Sequence, residues 1–346
     1  MRWIHNVFGL AAPVVFAAAA INGAPVSAAS QPTMLEWQSA IGQVPAVGSG
    51  CFQASFPALV WHAAKCATAR QQAFAPALPS SPKGAPDTVG NGVDYAAVVS
   101  GSISKATGTF TNVSSNISEK GKIGNSGSAK ANEFSLQLNT EFFSGSPACA
   151  KALTPSQCEA WQQFIYATDT NSVFMQYCLI DYDTTCPSGW FTSAGAGFID
   201  CYTNSVSTTL SKALTAASLA ALSLTGTAKS GGNDSVEVVS GGHATMATGK
   251  DSKVDLAPHW NTTEWGVYGD GGGGAADFGA SNTLEAVTKL TGTSSSAPSC
   301  VKDGFTGETN NLKLAATPAL GSESSPTIGS KQTDGAAGTK SCAVAS

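Results

Sequence analysis

The chain has 346 residues and a formal net charge of −5, and only 12% of its residues are charged, about half the usual share. No basic patch can form, which argues against a nucleic-acid partner, and nothing supports binding to an anionic membrane. With 37 glycines and Ser and Thr at most polar positions, the surface is expected to be covered by hydroxyls and amides, as in many secreted all-β proteins.

In chain order, Arg2 gives a short basic start, Phe8 to Ala20 is apolar, and Val26-Ser27-Ala28 puts small residues at a cleavage position. Residues 1–28 therefore read as a secretory signal. Their apolar core of ~13 residues falls short of the ~20 that span a bilayer. The expected location is extracellular or periplasmic, with no membrane contact once the signal is gone.

Residues 29–74 form an N-terminal segment. Leu35, Trp37 and Ile41 could face one side of a short helix, and Cys51 and Cys66 follow. Residues 75–89 hold Pro76, Pro79, Pro82 and Pro86 among Ser, Gly and Lys, which is linker chemistry.

From about residue 90 to 346, short apolar or alternating runs are separated by Gly, Ser, Asn and Asp: 95–99, 108–113, 134–143, 162–167, 173–182, 221–228, 236–239, 243–248 and 263–268. This pattern predicts a β-sandwich or barrel. The length exceeds an immunoglobulin-type sandwich and suits a concanavalin A-like two-sheet sandwich of the lectin/glucanase type. Residues 205–220 could form one helix. The Ser/Gly/Ala/Pro-rich tail after about residue 315 is expected to be irregular and tied down by Cys342.

All nine cysteines follow the signal, and an exported chain meets an oxidising compartment. An odd count leaves one unpaired. Proximity and loop flanks predict Cys51–Cys66, Cys149–Cys158, Cys186–Cys201 and Cys300–Cys342, with Cys178 left as a thiol in an apolar strand. A zinc site is disfavoured: there is no Cys-x-x-Cys pair, and after the signal only His62, His243 and His259 remain.

That strand, "FMQYCLIDY", carries Gln176. Alternation puts Phe174, Gln176, Cys178 and Ile180 on one face and Met175, Tyr177, Leu179 and Asp181 on the other. A glutamine there is either a satisfied core amide or a working group in a cleft. In "HWNTTEWGVYGDGGGG", Thr262, Glu264, Gly266 and Tyr268 share a face opposite Trp265 and Val267. Glu264 thus stands beside a glycine that leaves space, or is a solvated edge residue. The glycine run lacks the Lys-Ser/Thr of a phosphate loop. Asp181, Asp183, Asp270 and Asp277 lack calcium-loop spacing. No Gly-x-Ser-x-Gly turn supports a serine triad, and no second acid is obvious for a glycosidase.

"AWQQFIYATDTNSVFMQYCLIDY" resembles the strand pair of the glutamic peptidases (eqolisins), in which a Trp-containing strand precedes an "LQTG"-like segment with the catalytic glutamine. "TEWGVYGD" resembles their "AEWIVED"-like segment, whose first glutamate is catalytic. The resemblance implies Gln176 and Glu264 as the catalytic pair. It departs from the family at Tyr177-Cys178, where small residues are usual, and at Gly266. The neprosin relatives share the sandwich and a pro-segment, a role that residues 29–88 could fill. The chain is also similar to a group of exported bacterial proteins in "GCF…FPALVW…C", "GNGVDYAAVVSG", "SLQLNTEFF" and "CPSGW", a similarity that implies no activity.

The expectation is a secreted hydrolase cleaving peptide bonds in acid. Glu264 would activate a water, Gln176 would donate to the oxyanion, and Trp161, Tyr177 and Trp265 would line subsites. The alternative is a non-catalytic module binding glycan or protein on the same sandwich. A shared water requires the Gln176 amide and Glu264 carboxylate within ~3–6 Å of each other in an open groove. No cofactor or metal is called for, and a monomer is expected.

Overall fold

Alternating burial builds the architecture. Within Ile103–Thr111 and Thr283–Gly292 every second residue is buried from Ala106 to Phe110 and from Leu284 to Leu290, so each strand offers one face to a partner layer. In a computed structural model, which describes residues 32–45, 48–74, 95–124, 127–194, 199–270, 274–294, 296–302, 309–336, 338 and 342, such strands assemble into two large antiparallel sheets. The expected signal and the Pro-rich linker lie outside the described residues.

The first sheet runs His62–Ala64, Cys51–Ser55, His243–Lys250, Asn233–Ser240, Leu222–Thr227, Ile103–Thr111, Thr283–Gly292, Ser325–Asp334 and Leu312–Leu314. Ala319–Ser322 also pairs with Ser325–Asp334. The second sheet runs Phe191–Ala194, Ile199–Asn204, Ser172–Asp183, Glu159–Ala167, Ser135–Thr140, Thr262–Tyr268, Tyr95–Val98 and Ser299–Lys302. Val206–Thr209 pairs with both Ser172–Asp183 and Ala67–Thr68.

The two sheets pack face to face as the sandwich expected from the sequence. Between them lie Phe164, Tyr166, Met175, Leu179, Leu138, Trp265 and Val267 from the second sheet, and Ala106, Phe110, Leu224, Val236, Val238 and Leu290 from the first. Two glycines set the closeness of the layers: a Cβ at Gly108 would run into the Trp265 ring, and one at Gly226 into the Phe164 ring.

The described part of the N-terminal segment packs on the sandwich, and the described residues from Pro32 onward fall in one compact unit. Cys51, Phe52 and Ala54 are buried, and their strand closes the free edge of His243–Lys250. The expected helix spans Met34–Ile41, opened by a capping box between Thr33 and Glu36. Trp37 and Ile41 are buried against Ala54, Val239 and Ala244 on the outer face of the first sheet.

Two expectations change. Residues 205–220 contain the strand Val206–Thr209 and a 3-10 turn at Ala216–Ala221 instead of one helix; β-branched Val206, Thr208 and Thr209 suit a pleat better than a helix. The described part of the tail is not irregular: Ser325–Asp334 is a ten-residue strand paired with Thr283–Gly292 along seven positions. The four expected disulfides are present, and Cys178 is buried and outside any disulfide.

Candidate functional site: a polar row on the outer face of the second sheet

The second sheet turns one face to the core and the other away from it. On the outer face the register sets five polar residues directly across five neighbouring strands. Asn204 faces Gln176, Gln176 faces Gln163, Gln163 faces Asn139, and Asn139 faces Glu264. Gln176, Gln163 and Asn139 are fully buried, and Glu264 is 3% exposed. Gln137 lies on the same face, opposite Gly266.

Glu264 fixes the direction of this row. A carboxylate only accepts, so Asn139 turns its Nδ2 towards Oε2 of Glu264 at 3.3 Å. The Asn139 Oδ1 then accepts from Nε2 of Gln163 at 3.0 Å, and that same nitrogen donates to Gln137 Oε1 at 2.9 Å. From its own strand Glu264 receives a second donor: the Tyr268 hydroxyl, 2.8 Å from Oε1. Residues 264, 266 and 268 share a face, and the space left by Gly266 is filled by the Tyr268 phenol; a Cβ there would collide with it.

At the other end of the row, Gln176 holds a piece of main chain. Its Oε1 accepts from the Phe74 N–H at 2.7 Å. Its Nε2 donates to the Gln72 carbonyl at 2.9 Å and to Asn204 Oδ1 at 2.9 Å. Asn204 Nδ2 in turn donates to the Arg70 carbonyl at 2.8 Å. Two side-chain amides thus read the backbone of residues 70, 72 and 74. Side chains add to the hold: the Phe74 ring packs edge-on against Phe174 at 5.6 Å, Arg70 pairs with Asp169, and Gln72 bonds to Asp270.

Gln176 and Glu264 therefore lie on one face and in one row, but not as neighbours. Three strand spacings separate them, about 14 Å between backbones, and Gln163 and Asn139 fill the positions between. The amide beside Glu264 is that of Asn139. Trp161 lies on this face too, but fully buried among Phe142, Cys178, Ile180 and Tyr202, with its Nε1 donating to the Thr140 carbonyl at 2.8 Å. Tyr177 and Trp265 are corrections. Both belong to the core between the sheets, because each sits one residue out of phase with the row. Trp265 packs on Phe110 at 4.9 Å and cannot line a subsite beside Glu264.

Asn139, Gln163, Gln137, Asn204 and Tyr268 were missed from sequence. For Gln137, Asn139 and Gln163 the signal was the one that singled out Gln176, an amide inside an apolar strand, as in "SLQLNT" and "WQQF"; Asn204 and Tyr268 carried no such signal. Near this face, burial and then the Asp277 carboxylate push the carboxyl of Glu119 up to about 8. Among the described residues, no three His, Cys, Asp or Glu side chains converge to hold a metal ion, and no helix is long and apolar enough to cross a membrane.

No family model matches the chain, and no curated protein does. Among solved structures, one similar chain is that in "Crystal structure of Scytalido-glutamic peptidase with a peptide based transition state analog", at 10% identity, with 69% of this chain and 97% of that chain covered and a TM-score of 0.28. A likeness that loose carries no weight for function.

Proposed function

We propose that the protein acts on polypeptides held in extended form across the outer face of the second sheet, cleaving them in acid with Glu264 as the general base. The observation that carries this reading is the grip of Gln176 and Asn204 on the backbone atoms of residues 70, 72 and 74. Contacts of that kind recognise a main chain whatever its side chains. Glu264, oriented by Tyr268 and Asn139, would take a proton from a water attacking the peptide carbonyl and return it to the leaving amine. An amide donor aimed at the oxyanion contributes about 3 kcal/mol, roughly a hundredfold in rate. The row supplies such donors, with Asn139 nearest and Gln176 as the anchor further along.

On this reading residues 32–74 are a pro-segment that occupies the cleft. Three features support it. The one disulfide of the segment, Cys51–Cys66, is internal to it. Its strands lie at sheet margins and none is inserted between two strands of the later chain. Its residues 70–74 lie on the Gln176 and Asn204 end of the row, where a substrate would bind.

A second reading, peptide binding without cleavage, is favoured by the separation of Gln176 from Glu264. Incubation with denatured casein from pH 2 to 7, beside Glu264→Gln, decides between them. Acid-range cleavage that disappears in the variant supports hydrolysis. Casein retained on the immobilised protein without any cleavage, after residues 32–74 have been released by proteolysis, would leave only the binding reading.

A further inference from the structure

On the opposite side of the molecule, the outer face of the first sheet carries a second polar row. Glu237 faces Thr225, Thr225 faces Thr107, and Thr107 faces Lys289. The next row holds Ser223 opposite Thr109. The helix Met34–Ile41 and the 3-10 turn Ala216–Ala221 flank this strip and leave a cleft of about 460 Å³ above it, within the range of small-molecule sites.

Glu237 is the anomaly in this cleft. It is 4% exposed, and its Oε1 has no hydrogen-bond partner. Buried carboxyl oxygens are normally satisfied, and one left bare is destabilising. Lys105, the nearest cation, spends its ammonium on the Gly42 carbonyl at 2.7 Å and on Gln43 Oε1 at 3.2 Å. The Thr107 and Thr225 hydroxyls touch at 3.0 Å, so at least one of them keeps a lone pair or a proton for a third group.

We propose that this cleft binds a neutral polyhydroxylated ligand of one or two sugar rings, with one ligand hydroxyl on the Glu237 carboxyl, which lines the cleft, and others on the threonine and serine floor. The chemistry selects against charged ligands. A cation would sit beside Lys105 and Lys289, and an anion would have to displace the Gly42 and Gln43 oxygens that already hold the Lys105 ammonium. A zwitterion would need a charged Glu237, whereas burial pushes that carboxyl up to about 7 despite the pull of Lys105. A carboxyl poised between its two forms can accept from or donate to a hydroxyl. The strip offers hydroxyl partners throughout. This site is independent of the peptide cleft on the second sheet.

The test is ligand-observed saturation-transfer NMR on the full chain, with maltose, cellobiose and chitobiose as sugar probes and alanylalanine as the zwitterionic one. Saturable transfer to at least one sugar is expected. Glu237→Ala should weaken it about tenfold, the worth of one hydrogen bond to a buried group, and Thr225→Val severalfold. Glu237→Leu keeps the volume and removes the buried carboxyl, so it tests the same loss in a chain whose folding is not at risk from a cavity. Glu237→Gln should retain most of the binding. Transfer to none of the sugars, transfer to alanylalanine alone, or sugar transfer that survives Glu237→Leu would each overturn the proposal.

Discussion

The Tyr268 hydroxyl reaches back over Gly266 to donate to Glu264 at 2.8 Å. This links two residues four apart on one strand, which a pleat would otherwise hold well beyond contact. The missing Cβ makes the approach possible. If Glu264 is a general base, its working geometry depends on this bond. Tyr268→Phe should lower kcat on casein about tenfold with little change in KM, since only the orientation of the carboxylate is lost. Gly266→Ala should lower it further, because the phenol is displaced altogether. Equal kcat in all three proteins would remove Tyr268 from any role in positioning Glu264.

The hold of Gln176 on residues 72–74 is equally open to test. Gln176→Leu strands the Phe74 N–H and the Gln72 carbonyl in a buried place, at a cost of about 1–3 kcal/mol each. Gln176→Glu keeps the acceptor for Phe74 but, when ionised, has no proton for Gln72 or Asn204. Both variants should loosen the segment around Arg70, and in Gln176→Glu the loosening should grow as pH rises. Trypsin cleavage after Arg70, followed by mass spectrometry, reads this directly. Cleavage at the same rate in wild type and Gln176→Leu would mean the segment is held by other contacts.

Several buried acids bind protons more tightly folded than unfolded. Burial pushes Asp200 up to about 6, Asp234 and Glu237 to about 7, and Glu119 to about 8. Above about pH 4 the unfolded chain has released these protons, whereas the folded chain gives them up one after another between about 6 and about 8. Stability must therefore fall as pH rises from about 4 to about 8, with its full value below about 4. The expected result is a higher Tm at pH 5 than at pH 8 in thermal melts at constant ionic strength. A Tm that rises from pH 5 to pH 8 would contradict it. Glu237→Gln, which removes one of these groups, should flatten the slope.

The sandwich was legible because short apolar or alternating runs recur between Gly, Ser, Asn and Asp clusters, and the parity that set Gln176 and Glu264 on their faces held in both strands. The row itself was not legible. Register across strands far apart in sequence decides that Gln163 and Asn139 stand between Gln176 and Glu264, and no spacing along one strand reports it. The strand Ser325–Asp334 was missed for another reason. Its buried positions include Gly329, Ser330 and Gln332, so the apolar half of the alternation is absent. The role of residues 70–74 was hidden because polar side chains there say nothing about backbone atoms held by Gln176 and Asn204.

Cys178 gives the last prediction. It sits on the outer face of the second sheet, 1% exposed, in a cluster with Phe142, Trp161, Ile180 and Tyr202. Its sulfur is shielded from reagents by aromatic rings, and among the described cysteines it alone lacks a disulfide. Burial alone keeps an alkylating reagent from reaching the sulfur. The native protein should therefore take up no iodoacetamide at pH 8, while the unfolded, unreduced protein should take up one equivalent, at Cys178 by peptide mapping. Labelling of the native chain would mean that this cluster opens, and with it the outer face beside Gln176. Labelling of more than one site after unfolding would break the disulfide pairing on which the internal bridge of the N-terminal segment depends.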